Sequence, residues 1–193
     1  MSGPGGRLRD HMESTGGNGG NRRRRGLADV GAEVKRARGT AKDRALGLLA
    51  VRWRSRRELQ TRLRAAGFDD DEVTAALEDL ERAGLIDDDR FARELARAKS
   101  GRLDGNRSVR SALAKAGVAP QLGEEVVSDL GGEEERAHAL AERKASRMTG
   151  LAPEVAYRRL HGALLRRGYG PDLARDAARR ALAGVEDTGL GDA

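Results

Sequence analysis

Three times in this chain a leucine stands four residues before a glycine: Leu63 and Gly67, Leu113 and Gly117, Leu164 and Gly168. Successive glycines are 50 and 51 residues apart, and the text around them recurs as LQTRLRAAG (59–67), VRSALAKAG (109–117) and LHGALLRRG (160–168). In each copy apolar residues four apart line one face of a helix, and the glycine ends that helix just before another apolar stripe begins. An internal repeat of this length constrains the fold more than any local motif does. Each unit is too small to bury a full core alone, so neighbouring units are expected to stack.

The residues available for those cores favour helices. The chain is 38% hydrophobic yet holds only five aromatics, Trp53, Phe68, Phe91, Tyr157 and Tyr169, which leaves leucine, valine and alanine to fill the interior. Cysteine is absent, which removes disulfides and thiolate metal sites and fits a reducing compartment. No run of about 18 apolar residues exists, and the N-terminal residues lack the apolar stretch expected of a secretory signal. The expectation is a soluble, cytoplasmic, monomeric protein that does not enter a membrane.

The net charge of +6 is unevenly placed. Residues 1–40 hold nine Lys and Arg against four Asp and Glu, leaving only +1 for the rest of the chain. That segment includes Gly16, Gly17, Gly19 and Gly20 and the cluster Arg22 to Arg25, and it reads as a disordered basic and glycine-rich tail. It is suited to nonspecific phosphate contact, or to nothing more than solvation.

Helix signals divide the remainder into units at 41–86, 87–131 and 132–184, followed by a flexible tail, 185–193. In the first unit Thr40 precedes a helix whose stripe is Leu46, Leu49 and Trp53. Ser55 with Glu58 has capping-box spacing, and Leu59 and Leu63 follow. Asp69 with Glu72 repeats the box, Phe68 and Val73 form a hydrophobic staple, Leu77 and Leu80 continue the stripe, and Gly84 closes it. The second unit opens on the staple Ile86 and Phe91, with Leu95 and Ala98 expected inside. Val109 and Leu113 mark its next helix, and Pro120 starts a third that buries Leu122, Val126 and Leu130. The third unit reads as helices over 133–148, 153–167 and 171–183. The fold expected is all-α: an elongated array of three tandem three-helix repeats.

Charge alternates along the array. Residues 41–64 carry eight cations against two acids, 65–89 one against ten, 90–115 eight against two, 116–135 none against six, and 136–180 eleven against four. Basic early helices therefore alternate with acidic third helices, either as a docking surface or as neighbours that neutralise one another. The first reading selects Arg52, Arg56, Arg57, Arg93, Arg97, Arg158, Arg159, Arg166 and Arg167 as candidate partner-binding residues.

Enzymatic chemistry finds little support. His11, His138 and His161 show no metal-binding spacing, and the glycine-rich stretches match neither a P-loop nor a dinucleotide fingerprint. Asp69 to Asp71 and Asp87 to Asp89 stand at helix starts, where carboxylates cap free amides and oppose the macrodipole, so they are read as caps and not as metal ligands. No cofactor, metal or catalytic residue is expected.

The segment Gly84-Leu85-Ile86-Asp87-Asp88-Asp89-Arg90-Phe91-Ala92 resembles the hallmark of the RecX family of recombination regulators. Arg52, Ser55, Glu58, Leu59, Leu63 and Gly67 fit that family's upstream pattern, and the resemblance runs from about residue 41 to 184. It implies a regulator that contacts the RecA recombinase filament on single-stranded DNA, restrains its ATPase and strand exchange, and so affects recombinational repair and the SOS response. Direct contact with single-stranded or nonspecific DNA accompanies that expectation. The alternatives are a stand-alone helical DNA-binding regulator, since helix pairs joined at a glycine imitate a helix-turn-helix, and a protein-only scaffold.

Overall fold

The computed structural model describes residues 39–189, with side chains to 184. The expected disorder of the first 38 residues and of the last four lies outside the described residues. Helices α1 (Ala41–Val51), α2 (Arg56–Ala65) and α3 (Asp70–Arg82) form the first unit. The second contains α4 (Asp88–Ser100), α5 (Asn106–Ala116) and α6 (Pro120–Asp129), and the third α7 (Glu133–Ala145), α8 (Pro153–Arg166) and α9 (Pro171–Gly189). The array of three tandem three-helix units read from the sequence is the observed architecture.

The recurrent leucine and glycine close the second helix of each unit in the same way. Gly67, Gly117 and Gly168 have φ of +83°, +80° and +90°, a left-handed turn that glycine adopts without a Cβ penalty. The turn swings the next amide back onto the leucine carbonyl: Phe68 N to Leu63 O is 3.3 Å, Val118 N to Leu113 O 3.1 Å and Tyr169 N to Leu164 O 3.3 Å. Each leucine thus anchors the core with its side chain and the turn with its carbonyl. Phe68, Val118 and Tyr169, the residues after each glycine, are all buried.

Each unit has its own core. Leu59, Leu63, Val73, Leu77, Leu80 and Ile86 lie in the first, and Phe91, Val109, Leu113, Val126 and Val127 in the second. Leu140, Leu160, Leu164 and Tyr169 fill the third with a bed of alanines, Ala137, Ala141, Ala174, Ala177 and Ala178. Each fully buried leucine or valine contributes about 1.5–3 kcal/mol, and no core is large, so the contacts between units add to what each core supplies.

Several local expectations are corrected. Helix α1 ends at Val51 and buries Ala41 and Ala45, while Leu46 and Trp53 stay exposed; the stripe proposed for it breaks because Trp53 lies in the connecting loop. Ser55 Oγ accepts from Glu58 N at 3.1 Å, but the Glu58 carboxylate takes Arg52, Arg54 and Arg62 instead of closing a box. Asp69 makes no side-chain cap bond, and Glu72 accepts from Ala41 N at 3.0 Å. Leu95 is only partly buried and Ala98 is exposed, because Ala92 and Ala96 face the core. Helix α7 stops at Ala145, short of 148, and α9 runs on to Gly189, so the helix extends past the expected boundary at 184.

Asp87 does cap α4, its carboxylate accepting from Arg90 N at 2.9 Å between the buried Ile86 and Phe91. Asparagine caps nearly as well, so Asp87→Asn should leave chemical denaturation within a few tenths of a kcal/mol, whereas Asp87→Ala should cost about 0.5–2 kcal/mol. Equal losses in both variants would show that the carboxylate acts by charge and not as an acceptor.

The units meet where second helices touch end to end. Ser55, at the start of α2, donates from Oγ to the Ala116 carbonyl at the end of α5. Gly105, at the start of α5, donates from its amide to the Arg167 carbonyl at the end of α8, at 2.9 Å. In both places a helix N-terminus faces a C-terminus, the favourable order for macrodipoles. A carboxylate from the next unit's first helix seals each joint: Asp88 accepts from Arg56 N at 2.8 Å and Glu133 from Asn106 N at 2.7 Å.

Candidate interaction surface

The nine arginines selected by charge separate into two groups. Five are held within the molecule. Arg52 reaches Glu58 at 2.6 Å, Arg56 reaches Glu81 at 2.8 Å, Arg97 reaches Glu94 at 3.1 Å and Arg167 reaches Asp104 at 2.7 Å. Arg93 is the most committed, bridging Asp89 at 3.0 Å, Glu125 at 3.0 Å and Asp129 at 2.9 Å, so that it ties α4 to α6. Hydrogen bonds to Asp89 and Asp129 raise its already high pKa further. Of these bridges, those from Arg56 to Glu81 and from Arg93 to Glu125 and Asp129 join basic early helices to acidic third helices, as the neutralising reading expects.

Arg57, Arg158, Arg159 and Arg166 are exposed, and among the described residues none of them pairs with a carboxylate. Arg159 and Arg166 are seven residues apart on α8 and therefore share a face, with Gly162 between them. The Arg166 guanidinium lies over that glycine, 3.3 Å from where a Cβ would stand. Leu165, 38% exposed, adds apolar area beside it. Arg57 lies at the other joint, its aliphatic stem across Gly117. The unpaired cations thus occupy two separate places, one at the junction of units one and two and one along the third unit.

Charge counting alone missed the neighbours of both places. Lys115 joins Arg57 along a groove of about 370 Å³ between α2 and the end of α5, which Thr61, Arg62 and the Glu58 that pairs with Arg62 also line. It comes from the second unit, and only the end-to-end joint brings it there. In the third unit Arg143, Arg147, Arg179 and Arg180 are likewise exposed without a carboxylate partner among the described residues. The signal for these was in the sequence, where residues 136–180 have few acids to neutralise their eleven cations.

Other polar groups are structural. Burial pushes the Glu58 carboxyl up, but hydrogen bonds from Arg62, Arg52 and Arg54 outweigh it and hold the group below the usual carboxylate range. His161 stacks on Tyr157 with ring centroids 5.7 Å apart. Among the described residues no group of three or more His, Asp and Glu side chains is arranged to hold a metal, and no helix is long and apolar enough to cross a membrane.

Comparison with known proteins bears on this surface. Residues 41–80 match the family model for the first three-helix domain of RecX, and residues 132–178 that for the third. Regulatory protein RecX of Corynebacterium efficiens is 38% identical over 166 residues, covering 81% of this chain and 77% of that protein. The chain belongs to the RecX family. The RecX of Mycolicibacterium smegmatis is 37% identical, covering 74% of this chain and 80% of its own. The crystal structure of RecX from Lactobacillus salivarius shares the fold, with a TM-score of 0.63 at 21% identity over 73% of this chain and 94% of that one. The RecX matches to residues 41–80 and 132–178 span the units that carry Arg57 and the α8 arginines.

Proposed function

We propose that this chain is a regulator of the RecA recombinase, that it binds the RecA filament on single-stranded DNA, and that it restrains ATP hydrolysis and strand exchange by occupying the filament surface. Membership in the RecX family supports RecA as the partner. The observation that carries the mode of binding is the distribution of unpaired arginines: two separated basic sites on a tandem array suit a long, repetitive, negatively charged partner. Two weak sites engaged together gain avidity that neither has alone. Of the nine arginines, Arg57, Arg158, Arg159 and Arg166 have no carboxylate partner among the described residues and are the ones we select for such contacts; Arg52, Arg56, Arg93, Arg97 and Arg167 already have one.

The test is inhibition of DNA-dependent ATP hydrolysis by the cognate RecA. Reversing Arg159 and Arg166 together to glutamate should weaken inhibition about tenfold or more and flatten its salt dependence, because exposed charge contacts are lost. Helicity and melting should stay unchanged. Deleting residues 1–40 should matter less. Undiminished inhibition by the double variant would remove α8 from the interface, and equal binding to bare single-stranded DNA without RecA would favour the stand-alone DNA-binding reading.

A further inference from the structure

The two joints occupy equivalent positions in the repeat but are built differently. Counting back from the start of each second helix, Ser55 corresponds to Gly105, Arg54 to Asp104 and Trp53 to Leu103. Aligned on the glycine that closes it, Ala116 corresponds to Arg167, Gly117 to Gly168 and Val118 to Tyr169. Each pair can be compared directly.

At the joint between units two and three the main chains bond to each other. Gly105 N donates to Arg167 O at 2.9 Å, and Arg107 N to Gly168 O at 3.2 Å. The backbones approach so closely that a Cβ on Gly105 would lie 2.6 Å from Gly168. Leu103, held at φ +59°, packs against the core of the third unit, and its carbonyl accepts from Tyr169 Oη at 2.9 Å. The buried Asp104 takes Arg167 at 2.7 Å and Lys99 at 3.2 Å, so its charge is spent across the joint.

The joint between units one and two has a counterpart for each feature, made by side chains in place of main chain or turned inward. The Ala116 carbonyl is met by a serine hydroxyl, not by a main-chain amide. At Gly117 the approach is as close, but it is made by a side chain: a Cβ there would lie within 2.7 Å of Cδ, Cβ and Cγ of Arg57, with no main-chain atom among them. Trp53, in the position of the inserted Leu103, is 42% exposed and lies under Arg90, whose guanidinium carbon is 4.5 Å from the ring centroid. Arg54, in the position of Asp104, is buried but bonds Leu48 O and Glu58 of its own unit. Val118, in place of Tyr169, has no hydroxyl to donate.

From this asymmetry we infer that units two and three move as one rigid body, and that unit one is an arm that swings about the joint at Ser55 and Gly117. Inter-main-chain bonds and an inserted leucine resist rotation, whereas a hydroxyl contact, a stacked guanidinium and one carboxylate cap can follow it. The hinge lies beside the groove of Arg57 and Lys115, one cation from each body, so swinging the arm changes their separation. This inference concerns the free chain and does not depend on the identity of the partner.

The chain has no cysteine, so spin labels can be placed singly. The exposed Thr74, Ser128 and Arg143 lie on α3, α6 and α7. In the full chain, the distance distribution for the Thr74→Cys and Ser128→Cys pair should be about twofold or more broader than that for the Ser128→Cys and Arg143→Cys pair. Hydrogen exchange on the unlabelled chain gives an independent reading: the Arg56 amide, bonded to the Asp88 carboxylate, should exchange about tenfold or more faster than the equivalent Asn106 amide, bonded to the Glu133 carboxylate, after correction for intrinsic rates. Equal widths, or equal protection of the two amides, would overturn the hinge.

Discussion

Gly168→Ala should lower the free energy of unfolding by about 2–6 kcal/mol, read by denaturant titration, because two penalties fall on one methyl group. The residue sits at φ +90°, and its Cβ would lie 2.5 Å from Ser108 N, a main-chain atom that cannot move aside like a side-chain tip. Gly84→Ala is the matched control: φ is +69°, but nothing stands within 4 Å of its Cβ, so only backbone strain of about 1–3 kcal/mol applies. If the two variants lose the same amount, the close approach at the joint contributes nothing and the glycine is a helix terminator only.

Leu63→Ala and Leu113→Ala should each cost about 2–5 kcal/mol, since both side chains are buried and alanine leaves a cavity. The two leucines belong to different cores, so the local losses should add in the double variant with little coupling. A double variant no worse than either single one would mean that the cores share a boundary and the three units are less independent than their packing indicates. Unchanged melting in both single variants would contradict the assignment of the repeat leucines to the interior.

The features legible from sequence are those fixed within a few residues. The leucine and glycine spacing predicted the helix ends because the motif is local: the amide after the glycine returns to the leucine carbonyl five residues back. Asp87, Ile86 and Phe91 were legible for the same reason. Trp53 was not. Its spacing from Leu49 continued a helical period, but the chain leaves the helix after Val51 and the ring meets Arg90, thirty-seven residues away. The insertion of Leu103 into the next unit's core requires a left-handed leucine, which no propensity argument selects.

The candidate surface divides along the same line. Charge counting found where arginines accumulate but not which were already taken, because a partner such as Asp129 for Arg93 is close only after α6 packs on α4. For Arg97, by contrast, the partner Glu94 stands three residues earlier and was visible in the text. For Arg56, Arg93 and Arg167 the ion pair is thus a product of tertiary packing, whereas for Arg52 and Arg97 it is local.

Three separate cores joined at narrow contacts also determine how the chain loses its structure. In a protein with one core, any large cavity weakens everything at once. Here each bundle has its own core, and a defect in one reaches its neighbour through the contacts at a joint. The tightly bonded pair of units should therefore melt together, and the first unit should be able to unravel while the other two stand. Cooperativity in this molecule is located in Gly105, Asp104 and Arg167 more than in any leucine.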